Sequence, residues 1–181
     1  MQNASVDAEN SAPNRRSGAL RLGLWSKLDD VERVVIFGRG GAGKSVLARE
    51  LGDATGLFII ELDKVFWNDW LEPLPIEAWS PREAALAEGP RWIMDGDLGP
   101  YDDVEPRLRR ADTVVRSTCL FAWRAWRRDP ERRDLWDWTV RWRRRSHPHL
   151  LRAVAEFAPD AEANVLRNPR SVRRWLGGLG N

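Results

Sequence analysis

The chain has 181 residues, with 29 Lys/Arg against 27 Asp/Glu and a formal net charge of +2. One cysteine, Cys119, leaves no intramolecular disulfide, and no apolar run approaches the ~20 residues that span a bilayer. These features exclude a disulfide-built scaffold and a helical membrane protein, and they fit one α/β domain with a real core in a reducing, cytoplasmic setting.

Residues 1–19 are polar and rich in Asn and Ser, which predicts a disordered tail. Arg15 and Arg16 are not followed by an apolar segment, so an export signal is not expected. A short helix or strap is expected over 20–28. A single domain is expected from residue 20 to residue 181. Val34-Val35-Ile36-Phe37 is a β-branched apolar run ending in Gly38, the pattern of a buried parallel strand. A helix is expected over 45–51, with Gly52 as its C-terminal cap.

Residues 57–62 form a second apolar run, and Asp63 stands at its carboxyl end. Residues 67–79 contain Pro73 and Pro75 and are expected to be a loop. Ser80-Pro81-Arg82-Glu83 reads as a helix start with a capping box. Strands are expected over 92–95, ending in Asp95, and over 112–115. A fifth is expected over 164–166, followed by a helix over 170–176. Strands alternating with helices predict a three-layer α/β fold with a parallel sheet and helices on both faces. Gly38, Asp63 and Asp95 would then meet at the carboxyl rim of the sheet, where such folds bind ligands.

The segment Gly38-Arg39-Gly40-Gly41-Ala42-Gly43-Lys44-Ser45 fits G-x-x-x-x-G-K-[S/T] in full. Glycines let backbone N–H groups turn inward as an anion cradle, and the following helix aims its positive end at the same place. Lys44 supplies charge to the β- and γ-phosphates, and the Ser45 hydroxyl is placed to ligate Mg2+. Val46 completes the nucleotide-binding stretch. A dinucleotide motif competes through Gly38, Gly40 and Gly43, with Asp63 twenty residues beyond Gly43. Lys44 and Ser45 decide for ATP, because a nicotinamide site has no use for them.

Asp95 is placed like a carboxylate that holds magnesium, the alternative being a helix-capping role. Asp97 is a second candidate for the site. Asp63 can accept a proton or a hydrogen bond from an acceptor hydroxyl, or simply serve a turn.

Charge is unevenly distributed along the chain. Residues 1–106 carry 11 Lys/Arg against 19 Asp/Glu, whereas residues 107–145 carry 13 Arg against 5 Asp/Glu. In that second stretch Trp123, Trp126, Trp136, Trp138 and Trp142 interleave with the arginines. The plain reading is an amphipathic helical hairpin with tryptophans inward. The functional one is an arginine-bearing lid over about 121–150, with Arg124, Arg127 and Arg128 as cations for phosphoryl transfer, and Arg132 and Arg133 behind them. Nucleic-acid binding is the alternative, through arginine–phosphate contact and base stacking, with Arg143-Arg144-Arg145 as its core. His147 and His149 flank Pro148 in an expected loop, and two histidines without carboxylates or cysteines nearby make a poor metal site.

Four stretches carry a family resemblance: 38–45, Glu61-Leu62-Asp63-Lys64-Val65-Phe66-Trp67, Arg91-Trp92-Ile93-Met94-Asp95-Gly96-Asp97, and 109–115. Together they resemble the adenylate-kinase-like P-loop proteins of the DNA topology modulation group, over roughly residues 32–177. The resemblance implies a nucleoside-monophosphate-kinase-like fold with an arginine-bearing helical lid, and an acceptor facing Asp63 and Trp67. The chain departs from that pattern at Asp97-Leu98 and at Arg116-Ser117-Thr118-Cys119, which opens the way to another acceptor. The expected activity is ATP-dependent phosphotransfer to a small molecule, a nucleotide or a hydroxyl compound, with Lys44, Asp63, Arg124 and Arg128 as catalytic groups. The alternative is an ATP-binding regulatory or nucleic-acid-associated protein with weak hydrolysis.

Overall fold

The computed structural model describes residues 31–67, 72–99, 102–118 and 133–179, with backbone only for 133–141 and 143–145. The 1–19 tail, the 20–28 segment, and Arg124, Arg127, Arg128 and Arg132 lie outside the described residues.

Five strands form one sheet: β1 Arg33–Phe37, β2 Ile59–Glu61, β3 Trp92–Asp95, β4 Thr113–Ser117 and β5 Glu162–Leu166. Their order is β2-β3-β1-β4-β5 and every pairing is parallel. β1 lies at the centre because its residues are apolar on both faces. Val34 and Ile36 point into one layer of the core, with Leu47, Leu51, Ile93 and Val172. Val35 and Phe37 point into the other, with Phe66, Trp79, Met94 and Trp142. The two-residue repeat of a strand thus feeds two cores from one run.

The first core is closed by α1 Lys44–Thr55 and α6 Pro169–Leu179. The second is closed by α2 Leu62–Phe66, α3 Ile76–Ala87, α4 Glu105–Leu108 and α5 Arg133–Phe157. This is the expected three-layer α/β arrangement. Among the described residues, no helix is long and apolar enough to cross a membrane.

Several local expectations are corrected. Gly52 does not cap α1; the helix runs to Thr55, and Gly56 takes the left-handed cap with its N–H on the Gly52 carbonyl. α3 starts at Ile76, earlier than Ser80, so Pro81 lies inside it. Two N–H groups, of Ala78 and Trp79, close on the Pro75 carbonyl, and the fully buried Trp79 fixes that first turn. Burial of a large aromatic outweighs the hydrogen bond that Pro81 cannot make. Glu83 is likewise no cap, being fully buried. From residue 133 the expected hairpin and the 147–149 loop are one 25-residue helix with Pro148 inside. Trp142, Leu150 and Ala153 carry that helix into the core, which holds it together through the proline.

Gly38 ends β1 at φ 151°, and a Cβ there would lie 2.1 Å from the Ser117 carbonyl oxygen. Backbone faces backbone, so no side chain can swing aside. Gly38→Ala is therefore expected to destabilise the fold by about 2–4 kcal/mol in urea unfolding, as strained backbone sites do. Unchanged stability would show that the turn can leave β4 freely.

Candidate functional site

Parallel strands bring all five carboxyl ends to one rim. The 38–43 turn leaves β1 at its centre. Gly41 and Gly43 have φ of 71° and 79°, and Gly43 is the N-cap of α1 with no side chain capping the helix. The N–H groups at the start of α1 are thus left for an anion, a geometry that favours phosphate. The Ser117 hydroxyl donates to the Ala42 carbonyl at 2.6 Å and ties the turn to β4. Ala42 N–H closes on the Arg39 carbonyl at 3.2 Å, and Lys44 Nζ donates to the same oxygen at 3.4 Å. Lys44 is therefore folded over the turn.

The structure brings Lys44, Ser45, Asp63 and Asp95 together. Asp95 is buried at the end of β3. Burial raises its pKa, against a hydrogen bond with Ser45 and the charge of Lys44. Its Oδ1 has no hydrogen-bond partner. A buried carboxylate oxygen without a donor, beside a serine hydroxyl, fits a magnesium ion. Among the described residues no three His, Cys, Asp or Glu could hold a metal alone. Magnesium does not need such a cage, since it takes one or two protein oxygens plus phosphate and water.

Asp63 stands in the first turn of α2. Its carboxylate reaches solvent, yet neighbouring atoms crowd it and that desolvation raises its pKa. Lys44 and a side-chain hydrogen bond with Trp67 oppose the rise. The indole N–H is the only polar hydrogen of that ring, so Trp67 orients Asp63.

Asp97 is placed differently from the expectation of an acceptor contact. It is buried, Oδ1 accepts from Gly99 N–H at 3.1 Å, and Oδ2 accepts from the Trp142 indole. Both oxygens are engaged, so Asp97 joins the β3 rim to α5 as a strut. Burial raises its pKa, with Trp142 opposing.

The other side of the turn is cationic. Arg39, Arg116, Ser117, Thr118, Trp142, His147 and Arg167 line a cavity of about 450 Å³. Arg116 Nη1 donates to His147 Nε2, since arginine has no acceptor. Arg167 sits on a turn fixed by α6: Ser171 Oγ accepts from the N–H groups of Arg167 and Asn168, and Asn168 Oδ1 accepts from Ser171 N–H at 2.9 Å. A smaller cavity of about 190 Å³ lies between Ala42 and Gly43 of the turn, Val46 of α1, and Pro169 and Val172 of α6. Val46, the third residue past Gly43, is 50% exposed there, whereas its neighbour Leu47 is buried in the core.

Sequence reasoning missed the groups that shape the acid side. Arg107 is fully buried and donates to Glu83 Oε1, to Asp102 Oδ1 at 2.8 Å and to Asp102 Oδ2 at 2.7 Å. Asp102 Oδ2 also accepts from Leu98 N–H at 3.2 Å, which fixes the segment after Asp97. Nothing in the sequence links Glu83, Asp102 and Arg107 except their being charged. Ser117, by contrast, had a signal: a small polar residue ending an apolar strand. Compared with models of known protein families and with curated protein sequences, the chain matches none.

One guanidinium faces two carboxylates. Burial works against the charge on Arg107, but Asp102 and Glu83 outweigh it and keep the guanidinium protonated. Asp102 supplies the countercharge, and burial pushes Glu83 up to about 7 against the pull of Arg107. The folded state then binds a proton that the unfolded chain releases near 4.5. Stability from this group is full below that value and is lost as pH rises through about 7. Glu83→Gln keeps the shape and cannot ionise. The melting temperature of this variant is expected to gain on the wild type between pH 4.5 and 7. A constant difference across that window would disprove the assignment.

Proposed function

We propose that this chain is a P-loop phosphotransferase of nucleoside-monophosphate-kinase-like build, moving the γ-phosphate of ATP to a small-molecule acceptor. The observation that carries the reading is the meeting of a left-handed glycine turn, Lys44 at the helix start, and the unpartnered Asp95 oxygen beside Ser45. The turn offers an anion cradle and the acid offers a cation site, and ATP with magnesium needs both within a few ångströms.

The remaining parts take roles by position. The smaller cavity suits the base: an adenine ring against Val46, Pro169 and Val172 would cover an apolar side chain that water now meets. Lys44 leaves the Arg39 carbonyl to reach the β- and γ-phosphates. Ser45 and Asp95 hold magnesium, which when bound neutralises charge on the phosphate oxygens. Arg39 of the loop, with Arg116 and Arg167 beside it, lies where cations stabilise the charge that develops on transfer. Asp63, oriented by Trp67, takes the proton of the acceptor hydroxyl.

Lys44→Ala should weaken binding of a fluorescent ATP analogue with magnesium roughly 100-fold, the scale of a lost charge-assisted contact to phosphate. Asp95→Asn should abolish the gain in affinity that magnesium confers while leaving metal-free binding within about twofold. Titration of tryptophan-to-analogue energy transfer reads both. Wild-type affinity in Lys44→Ala would remove the proposed site.

A further inference from the structure

His147 lines the larger cavity together with Arg39, Arg116 and Arg167. It stands in α5, one residue before Pro148, whereas Arg116 stands in β4, one residue before Ser117. Ser117 is tied to the turn through the Ala42 carbonyl, and Arg116 itself pairs with Phe37, the last residue of β1. The backbone of Arg116 is therefore fixed beside the point where Gly38 leaves the sheet. An arginine side chain has several rotatable bonds, so a fixed backbone does not by itself aim the guanidinium.

The imidazole supplies that aim. Arg116 Nη1 donates to His147 Nε2, so Nε2 carries the lone pair, the ring is neutral and its proton sits on Nδ1. The ring is itself held. It tilts at 47° on the Trp142 indole, with centroids 5.4 Å apart, and that buried indole donates to Asp97 Oδ2. Asp97 lies two residues past Asp95, the end of β3. A chain of contacts thus runs from the end of β3 through α5 to Arg116 of β4, and β3 and β4 flank the strand that carries the turn. The carboxylates that meet Arg33, Arg107 and Arg109 bring negative charge to their partners. The imidazole directs a guanidinium without adding any.

We propose that His147 is a positioning residue that aims Arg116 at the γ-phosphate of the bound nucleotide. This rests on the phosphotransferase reading above. The imidazole acts through Arg116 and takes no part in the transfer itself. A cation aimed beforehand needs little reorganisation when the phosphate arrives, and that saving appears as affinity for the third phosphate. Trp142 and Asp97 serve the same end at one remove, by keeping the ring in place.

The experiment compares a fluorescent ATP analogue with its diphosphate counterpart, both with magnesium, on the full chain at about pH 8, above the ordinary histidine value of about 6.5. The ratio of the two Kd values reads contact with the γ-phosphate. Two substitutions separate the acceptor atom from the ring. His147→Gln keeps an acceptor oxygen near the reach of Nε2 and loses the ring. His147→Phe keeps a ring against Trp142 and loses the acceptor, and the half-buried position has room for it. The wild type is expected to favour the triphosphate, and His147→Gln to stay within about twofold of its ratio. His147→Phe should lose about fivefold or more of that preference, as should Arg116→Gln. In the Arg116→Gln background His147→Phe should cost nothing further, because its effect passes through Arg116. Should His147→Phe fail to fold, His147→Leu, which also lacks an acceptor, takes its place. A wild-type ratio in His147→Phe, a loss in both His147 variants, or additive losses in the double variant each overturns the inference. So does a wild type that binds both analogues equally. Binding of neither analogue removes the phosphotransferase reading itself, and this inference with it.

Discussion

The hydroxyl of Ser117 and the carbonyl of the same residue hold the turn after β1 in place. One donates to Ala42, and the other stands where any Gly38 side chain would be. Ser117 is buried, so its hydrogen bond works in a medium of low polarity and is not traded against water. The turn is thereby clamped to the neighbouring strand before any ligand arrives. Everything at the rim inherits that clamp. The start of α1, Lys44 over the Arg39 carbonyl and the approach of Ser45 to Asp95 all follow from where the turn is fixed. Donors already aimed need little reorganisation when charge appears, which is the main advantage a phosphate site can have.

A second clamp works on the acid side. Arg107 and its two carboxylates bind α3, α4 and the segment after Asp97 into one unit, and Asp97 joins that unit to α5 through Trp142. Such a buried group of charges is a weak source of stability, because desolvation offsets most of the attraction. Its effect is geometric. It fixes the segment after Asp97 against α3 and α4, and through Asp97 it holds Trp142, which lines the cationic cavity.

β1 and β4 were legible because their residues are largely β-branched, and the glycine turn because its chemistry is local; β2 is Ile59–Glu61, shorter than the expected 57–62, and the polar β5 is Glu162–Leu166, longer than the expected 164–166. β3 reads from 92 to 95 in sequence and in structure alike. The start of α3 was not legible: Ser80-Pro81-Arg82-Glu83 has every local mark of a helix N-terminus, yet Trp79 buries one turn earlier and Glu83 meets a partner 24 residues away. Pro148 between two histidines likewise reads as a break, and packing of Trp142 and Leu150 on the sheet overrides it. The meeting of Lys44, Ser45, Asp63 and Asp95 at one rim was legible because Asp95 ends a strand, Asp63 follows one, and Lys44 and Ser45 come directly after the glycine turn. The burial of Asp97 was not, because its partner Trp142 lies 45 residues along the chain.

The linear charge asymmetry of the chain is mixed in the fold. A run of 11 Lys/Arg against 19 Asp/Glu followed by 13 Arg against 5 Asp/Glu is, on paper, only an acidic half and a basic stretch. In the fold the two do not separate: Arg107 of the basic stretch lies with Glu83 and Asp102, and Trp142 on α5 reaches Asp97. β2 and β3 come from the acidic half and lie together on one side of β1, and β4 and β5 lie on the other. A parallel sheet wound in sequence order from one edge would have set the glycine turn at that edge. Winding outward in both directions from β1 puts the turn in the middle of the rim, with strand ends on both sides.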